Sequence, residues 1–479
     1  MKRLLAITLS YLLVMSFALT SCGNDKEEAN NRPLFSVKAS PTAKETIRPT
    51  ETPKVADDPN VKVLKIAAFD DINDGFLKRF KESHPDFPYE MQQVMSRNLD
   101  EYEPELENRL QTNAENVPDI FMVDVTYVTK YSKGVMSSYV AAFKDLGIDV
   151  DTLVKQAGLM QYTVDIGTSG DGNIVGLCTE ASPGAFIYRR SIAQKVWGTD
   201  DSNVIQDKIG GSWENFFQAA EELKAKGYGI VSGEGDLWNL VERSADEGWV
   251  VDGKLNIDPK REAFLDIAKK LKENGYSNNA QEWTEAWYAD MKGTGSKPIF
   301  GYFGPEWLIS YTIEAQCGGE KAGEGTYGDW AVCKPTTEFF WGGTWVFVNK
   351  NTKVPNAVAE VIKWMTLDTS KTGLQYYMAN GTLDKTNREK QTVASTTVLA
   401  KSNGSMEFLS GQNMFDVFLA ASKNIKSKNV TWLDFRINDY WRKNVRDYMF
   451  GKVTREQAIA NFKKEIGDTS SSNLDIRVE

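Results

Sequence analysis

Between Val61 and Val125 the chain alternates short apolar runs with amphipathic stretches, and this alternation narrows the available folds more than any other feature. The run VKVLKIAAF has strand length. DDINDGFLKRFKESHP follows, with Phe76, Leu77 and Phe80 at helical spacing and Pro85 as a stop. PYEMQQVM reads as a second strand, YEPELENRLQTNA as a helix with Leu106 and Leu110 on one face, and PDIFMVDV as a third strand introduced by Pro118. This order predicts an α/β fold, a parallel sheet wrapped by helices. A chain of 479 residues exceeds what one hydrophobic core supports; at ~150 residues per domain, two or three are expected.

The alternation continues through GNIVGLCTE and GAFIYRRSIAQKVWG. In SWENFFQAAEELKAKGYGIV, Ser212 is a natural N-cap, Phe216, Ala220 and Leu223 share a face, and Gly227 ends the helix. REAFLDIAKKLKENG repeats the pattern, TWVFVNKN reads as a strand, and NAVAEVIKWMTL as the helix after it. The tail is helical, with Thr454 opening a capping-box-like TREQ.

The N-terminus is of another kind. MKRLLAITLSYLLVMSFALTSC joins two basic residues to an apolar run and a cysteine, the pattern of a secretory leader. LTSC resembles a bacterial lipobox, which implies residues 1–21 as a lipoprotein signal peptide and lipid on Cys22; a plain leader with an incidental cysteine is the alternative. Residues 22–60, rich in Lys, Glu, Pro, Thr and Asn, read as a tether too polar to fold. Removing Lys2 and Arg3 with the leader takes the formal charge from −10 to −12, which argues against nucleic acid or anionic membrane surfaces as partners. Cys317 and Cys333 bracket a Gly-rich segment and are expected to pair as a disulfide, with Cys178 a free buried thiol.

The ordered set PDIFMVD, GNIVGL…GAFIYRRSIA, SWENFFQAAEELK, FGPEW and PTTEFFWGGTWVFVNK, closing on GKVTREQAIANF, resembles the extracellular solute-binding proteins of carbohydrate ABC transporters, the group that includes maltose-binding protein. FIYRRSIAQKVWG and FFWGGTWVFV are similar to lipoproteins of gut-dwelling Gram-positive bacteria. The resemblance spans Val61 to the C-terminus. It implies a two-lobed periplasmic-binding-protein-like fold, two Rossmann-like lobes joined by crossing hinge strands, with 61–180 plus 343–385 in the first lobe and 181–342 plus 386–479 in the second. It also implies an oligosaccharide as ligand, ABC permease subunits as partners, a monomer, and a cell-surface location held by N-terminal lipid.

Sugars offer an apolar face that stacks on aromatic rings and hydroxyls that need acceptors, so Trp or Tyr beside carboxylates and amides is the expected site chemistry. Asp70 and Asp71 follow the first strand, where Asp71 competes with a role as a cap near Asn73. Asp124 ends the third strand, and Glu180 lies in the segment LCTEASPG that would cross between lobes. Trp307 follows a Gly-Pro turn, and Trp238 follows a strand in GEGDLWNLVE with core packing as its alternative. Asp434 and Arg436 precede the C-terminal helix and could be surface charges. In FFWGGTW, Gly342 and Gly343 are expected to leave room for a ligand beside the backbone. Trp341 would then face the ligand, and Trp345 the core.

Neither cofactor nor metal is expected: the chain has a single histidine, His84, which leaves no Ser-His-Asp triad and no His-rich zinc site. The expected function is binding without catalysis. A glycoside hydrolase, which needs only two carboxylates, is one alternative. The same fold binding a polyamine, peptide or other small solute is another, and the acids Asp70, Asp71, Asp124 and Glu180 would suit a polyamine.

Overall fold

The computed structural model describes residues 56–384, 389–468 and 476–478. The leader, Cys22 and nearly all of the tether lie outside the described residues. Ten strands form among those described: β1 (Val63–Ala67), β2 (Glu90–Met95), β3 (Ile120–Asp124), β4 (Gly176–Glu180), β5 (Ala185–Arg189), β6 (Val250–Val251), β7 (Lys254–Leu255), β8 (Gly301–Gly304), β9 (Trp330–Cys333) and β10 (Thr344–Val348).

A five-stranded sheet has the order β2-β1-β3-β10-β4, and a three-stranded sheet the order β8-β5-β9. β1 runs parallel to β2 and β3, as the alternation predicts. β10 departs from that expectation, pairing antiparallel with both β3 and β4. The physical reason is its origin: the chain returns from the second sheet and enters at the edge where β3 and β4 exit, so it must run against them. Trp345 secures the insertion, fully buried with its indole N–H donating to the Thr163 carbonyl at 2.9 Å.

Three connecting segments join the two sheets side by side. Pro183 bridges Phe340, the Trp341 N–H donates to the Ser182 carbonyl, and the Gly184 N–H donates to that of Phe339. On the other flank Val393 bridges Glu180, and the Ala181 N–H donates to the Thr392 carbonyl. The chain stays with the first sheet beyond the expected boundary at 386. The Ser395 N–H donates to Gln375 Oε1 and the Thr396 N–H to the Gly158 carbonyl, while Gln412 is the residue that engages Val332 of β9.

Helix signals read from local chemistry reappear in place. Ser212 caps Trp213–Lys224 through the Asn215 N–H, and Thr454 and Gln457 form a reciprocal capping box at Arg455–Gly467. β5 and β9 divide their side chains by the two-residue period of a strand. Ile187, Trp330 and Val332 join the core continuous with the first sheet, whereas Phe186, Tyr188, Ala331 and Cys333 join the core beneath the C-terminal helices.

That division corrects the expected disulfide. Cys317 belongs to the first core and Cys333 to the second, on opposite faces of the three-stranded sheet, and both are free thiols, as is Cys178. The Cys317 Sγ–H donates instead to the Gly319 carbonyl at 3.1 Å. Digestion without reductant after alkylation in denaturant is expected to find Cys178, Cys317 and Cys333 all alkylated; a Cys317–Cys333 cross-linked peptide would contradict this arrangement.

Candidate functional site

β3 and β4 end with acids, and β10 begins between them. Thr344 is in register with Asp124 on one side and Glu180 on the other, so two carboxylates stand about two strand spacings apart, ~10 Å, at one sheet edge. Asp70, three residues beyond β1, leaves the same edge. In open α/β sheets this carboxyl edge is where ligands sit.

Glu180 is half-buried, and no described side chain or backbone group hydrogen-bonds its carboxyl. Burial, and then the negative charges of Asp70, Glu389 and Asp124, push its pKa up to about 8. Burial likewise raises Asp70 and Asp124, although Asp124 also caps the following helix by accepting from the Thr126 N–H at 2.9 Å. Glu306, 3 % exposed, is held well above the usual carboxylate range by burial and by Glu180. It accepts from the Ser310 hydroxyl at 2.7 Å and the Thr392 N–H at 3.3 Å, tying the segment after β8 to the third connection.

Beside these acids three indoles meet. Trp307 and Trp341 pack edge to face with ring centres 4.7 Å apart, and Trp283 lies parallel to Trp307 at 6.2 Å and edge-on to Trp341 at 6.1 Å. All three are half-buried. The Trp307 indole N–H donates to the Trp341 carbonyl at 2.9 Å. Trp283 holds φ at 65°, a left-handed conformation costing a bulky residue roughly 1–2 kcal/mol. Such outliers persist where surrounding packing enforces them, often at functional sites. The turn after Trp307 is widened, with the Glu314 N–H reaching back five residues to Ile309, another feature common at such sites.

The glycine pair serves a different end from the one expected. A Cβ on Gly342 would lie 2.8 Å from Trp307 Nε1, and one on Gly343 would lie 2.9 Å from the Trp345 ring and 3.0 Å from the Glu180 carbonyl. Their φ angles of 100° and 116° also suit only glycine. The missing side chains make room for tryptophans, not for a ligand against the backbone.

Three other candidates move away from the site. Trp238 is 2 % exposed and packs on Trp249 and Phe264, so it is core; as a helix residue facing inward it has no route to solvent. Asp71 is exposed, with its carboxylate engaged by the Asn73 N–H and side chain, and does not figure among the charges on Glu180. Asp434 is 3 % exposed, accepting from the Thr431 N–H and hydroxyl and facing Arg243 at 3.5 Å. Arg436, in the first turn of the same helix (Asp434–Met449), is exposed, and its charge acts on the Tyr127 hydroxyl of the opposite half.

Trp283, Glu306 and Glu389 were not singled out in the sequence. Glu306 stands beside Trp307 in FGPEW, and Trp283 precedes the Thr284 cap of helix Glu285–Lys292, but neither signal distinguishes site from surface. A separate hollow of about 550 Å³, lined by Trp213, Phe217, Lys270 and Tyr276, opens on the outer faces of helices Trp213–Lys224 and Pro259–Glu273. It involves one half only, and Lys270 already covers the Phe217 ring at 4.2 Å.

The chain belongs to the bacterial extracellular solute-binding proteins, whose family pattern matches residues 76–397. Solved structures share its two-lobed fold. An extracellular solute-binding protein of family 1 aligns with a TM-score of 0.71 at 18% identity, covering 84% of this chain and 98% of that one. The galacto-N-biose-/lacto-N-biose I-binding protein of an ABC transporter from Bifidobacterium longum, in complex with lacto-N-biose, aligns at 0.64 and 16%, covering 88% and 100%. An ABC-transporter-associated binding protein from B. animalis subsp. lactis, in complex with beta-1,6-galactobiose, aligns at 0.55 and 16%, covering 86% and 98%. No curated protein matches the chain in sequence.

The elevated Glu180 pKa has a definite sign. A carboxyl whose folded value rises from 4.5 to about 8 contributes stability that is complete below the unfolded value and is lost as pH rises through the folded one. The ligand-free protein is therefore expected to lose melting temperature between pH 5 and pH 8.5, and Glu180→Gln to lose less over the same range. Parallel melting curves of the two proteins across that range would contradict the assignment.

Proposed function

We propose that the protein captures an oligosaccharide between its two lobes and delivers it, unaltered, to the permease of an ABC importer. The observation that carries this reading is the meeting of Trp283, Trp307 and Trp341 beside Glu180, a carboxyl with no hydrogen-bond partner among the described residues, at the strand-exit edge. Indole faces stack on the C–H face of a sugar ring, and a free carboxyl at their border exchanges hydrogen bonds with hydroxyls. Relatives of the same fold crystallised with lacto-N-biose and galactobiose support a sugar over other solutes.

The three connections act as the hinge. Glu180 and Asp124 belong to the first lobe, and Trp283 and Trp307 to the second, so a ligand touching both sets favours closure. Binding alone is the function and the ligand leaves chemically unchanged. Lipid on Cys22 holds the protein on the outer face of the cell membrane; no described helix is long and apolar enough to cross a membrane. The protein acts as a monomer.

Thermal-shift screening against plant and host oligosaccharides is expected to find a ligand that raises the melting temperature and is recovered intact. Trp341→Ala and Trp283→Ala should each weaken it tenfold or more, since hot-spot aromatics contribute about 2 kcal/mol or more, while the apo proteins still melt cooperatively. Wild-type affinity in both variants, or cleavage of the ligand, would refute the reading. The anchor is tested separately: Cys22→Ala is expected to release the protein into the medium, and retention at the membrane would argue against lipidation.

A further inference from the structure

We propose that the captured solute carries a protonated amine, as an unacetylated amino sugar does, and that this ammonium sits among Glu180, Asp70 and Asp124 against the tryptophan trio. The proposal rests on the oligosaccharide reading and specifies the chemistry of that ligand. Two independent features of the site attract positive charge. The carboxylates are the first: among the described residues, the charges that bear on Glu180 are those of Asp70, Glu389 and Asp124, and all are negative. Glu306 feels Glu180 and Glu389 in the same way. The Asp70 and Glu180 side chains are spent on no hydrogen bond within the described protein, unlike Asp71, Asp434 and the ion-paired Glu282 with Arg442.

The indoles are the second feature. The face of a tryptophan ring is the best aromatic partner for a cation, and three half-buried indoles converge here.

The acids are also spread in a way that suits an organic cation. They leave the ends of three different strands instead of closing on one point, and no described group of three His, Cys, Asp or Glu is compact enough to hold a metal ion. A neutral sugar would leave the mutual repulsion of these carboxyls in place, whereas an ammonium offsets it and lets Glu180 ionise against a partner.

Titration calorimetry at pH 7 with a glucosamine trimer, its fully N-acetylated counterpart and spermidine tests the proposal. The glucosamine trimer is expected to bind at least tenfold more tightly than the acetylated trimer in low salt, a gap equal to about one charge-assisted hydrogen bond. The gap should shrink as salt is raised and largely vanish in Glu180→Gln. If that variant does not melt cooperatively, Asp70→Asn, altering a side chain that makes no hydrogen bond within the described protein, takes its place with the same expected loss. Equal or tighter binding of the acetylated trimer or another neutral oligosaccharide would overturn the amine while leaving sugar capture standing. Spermidine binding with no glycan bound would keep the ammonium and overturn the sugar. No binding of either amine would overturn the proposal.

Discussion

The antiparallel insertion of β10 between β3 and β4 is the constraint on which both the fold and the site depend. It places Thr344 between Asp124 and Glu180 and so sets the width of the acidic edge. It also fixes where the preceding residues must turn. Gly342 and Gly343 take φ values closed to other residues there, which brings Trp341 over the edge and sends Trp345 into the core. Without that turn Trp307 could not reach the Trp341 carbonyl, and the indole trio would have no common centre.

On the proposed reading, the same turn would couple binding to motion. Residues 182–184 pair with 339–341, and 179–181 with 392–394, so the hinge is a short ladder and not a set of loose linkers. Glu306 and Tyr162 are built into it: one accepts from the Thr392 N–H, and the other, through its hydroxyl oxygen, from the Ser182 N–H. On the proposed reading, a ligand touching Glu180 would act directly on these pairings, because Glu180 itself bridges Val393.

Local chemistry made much of this visible in advance. Ser212 and Thr454 announced their helices because an N-cap needs only neighbours three residues away. Asp124 and Glu180 could be placed at the candidate site because the ends of apolar runs mark strand exits, and strand exits of an α/β sheet share one edge. Trp341 stood out because a glycine pair beside it demanded an unusual turn. Trp238 misled for the converse reason: an aromatic after a strand reads the same whether it faces solvent or Trp249. Asp71 and Asp434 were carboxylates whose partners, Asn73, Thr431 and Arg243, only the folded chain revealed.

What the amino-acid order determined by itself is therefore the set of elements, the two-part α/β class, and the acids at strand ends, since each depends on spacing within a dozen residues. What the tertiary structure alone decided is the direction of β10, the opposite faces taken by Cys317 and Cys333, the left-handed Trp283, and the convergence of Glu180, Glu306 and Glu389. These depend on segments more than a hundred residues apart, or on the face of a sheet a side chain occupies. Sequence periodicity carries no information about either until the two sheets have packed.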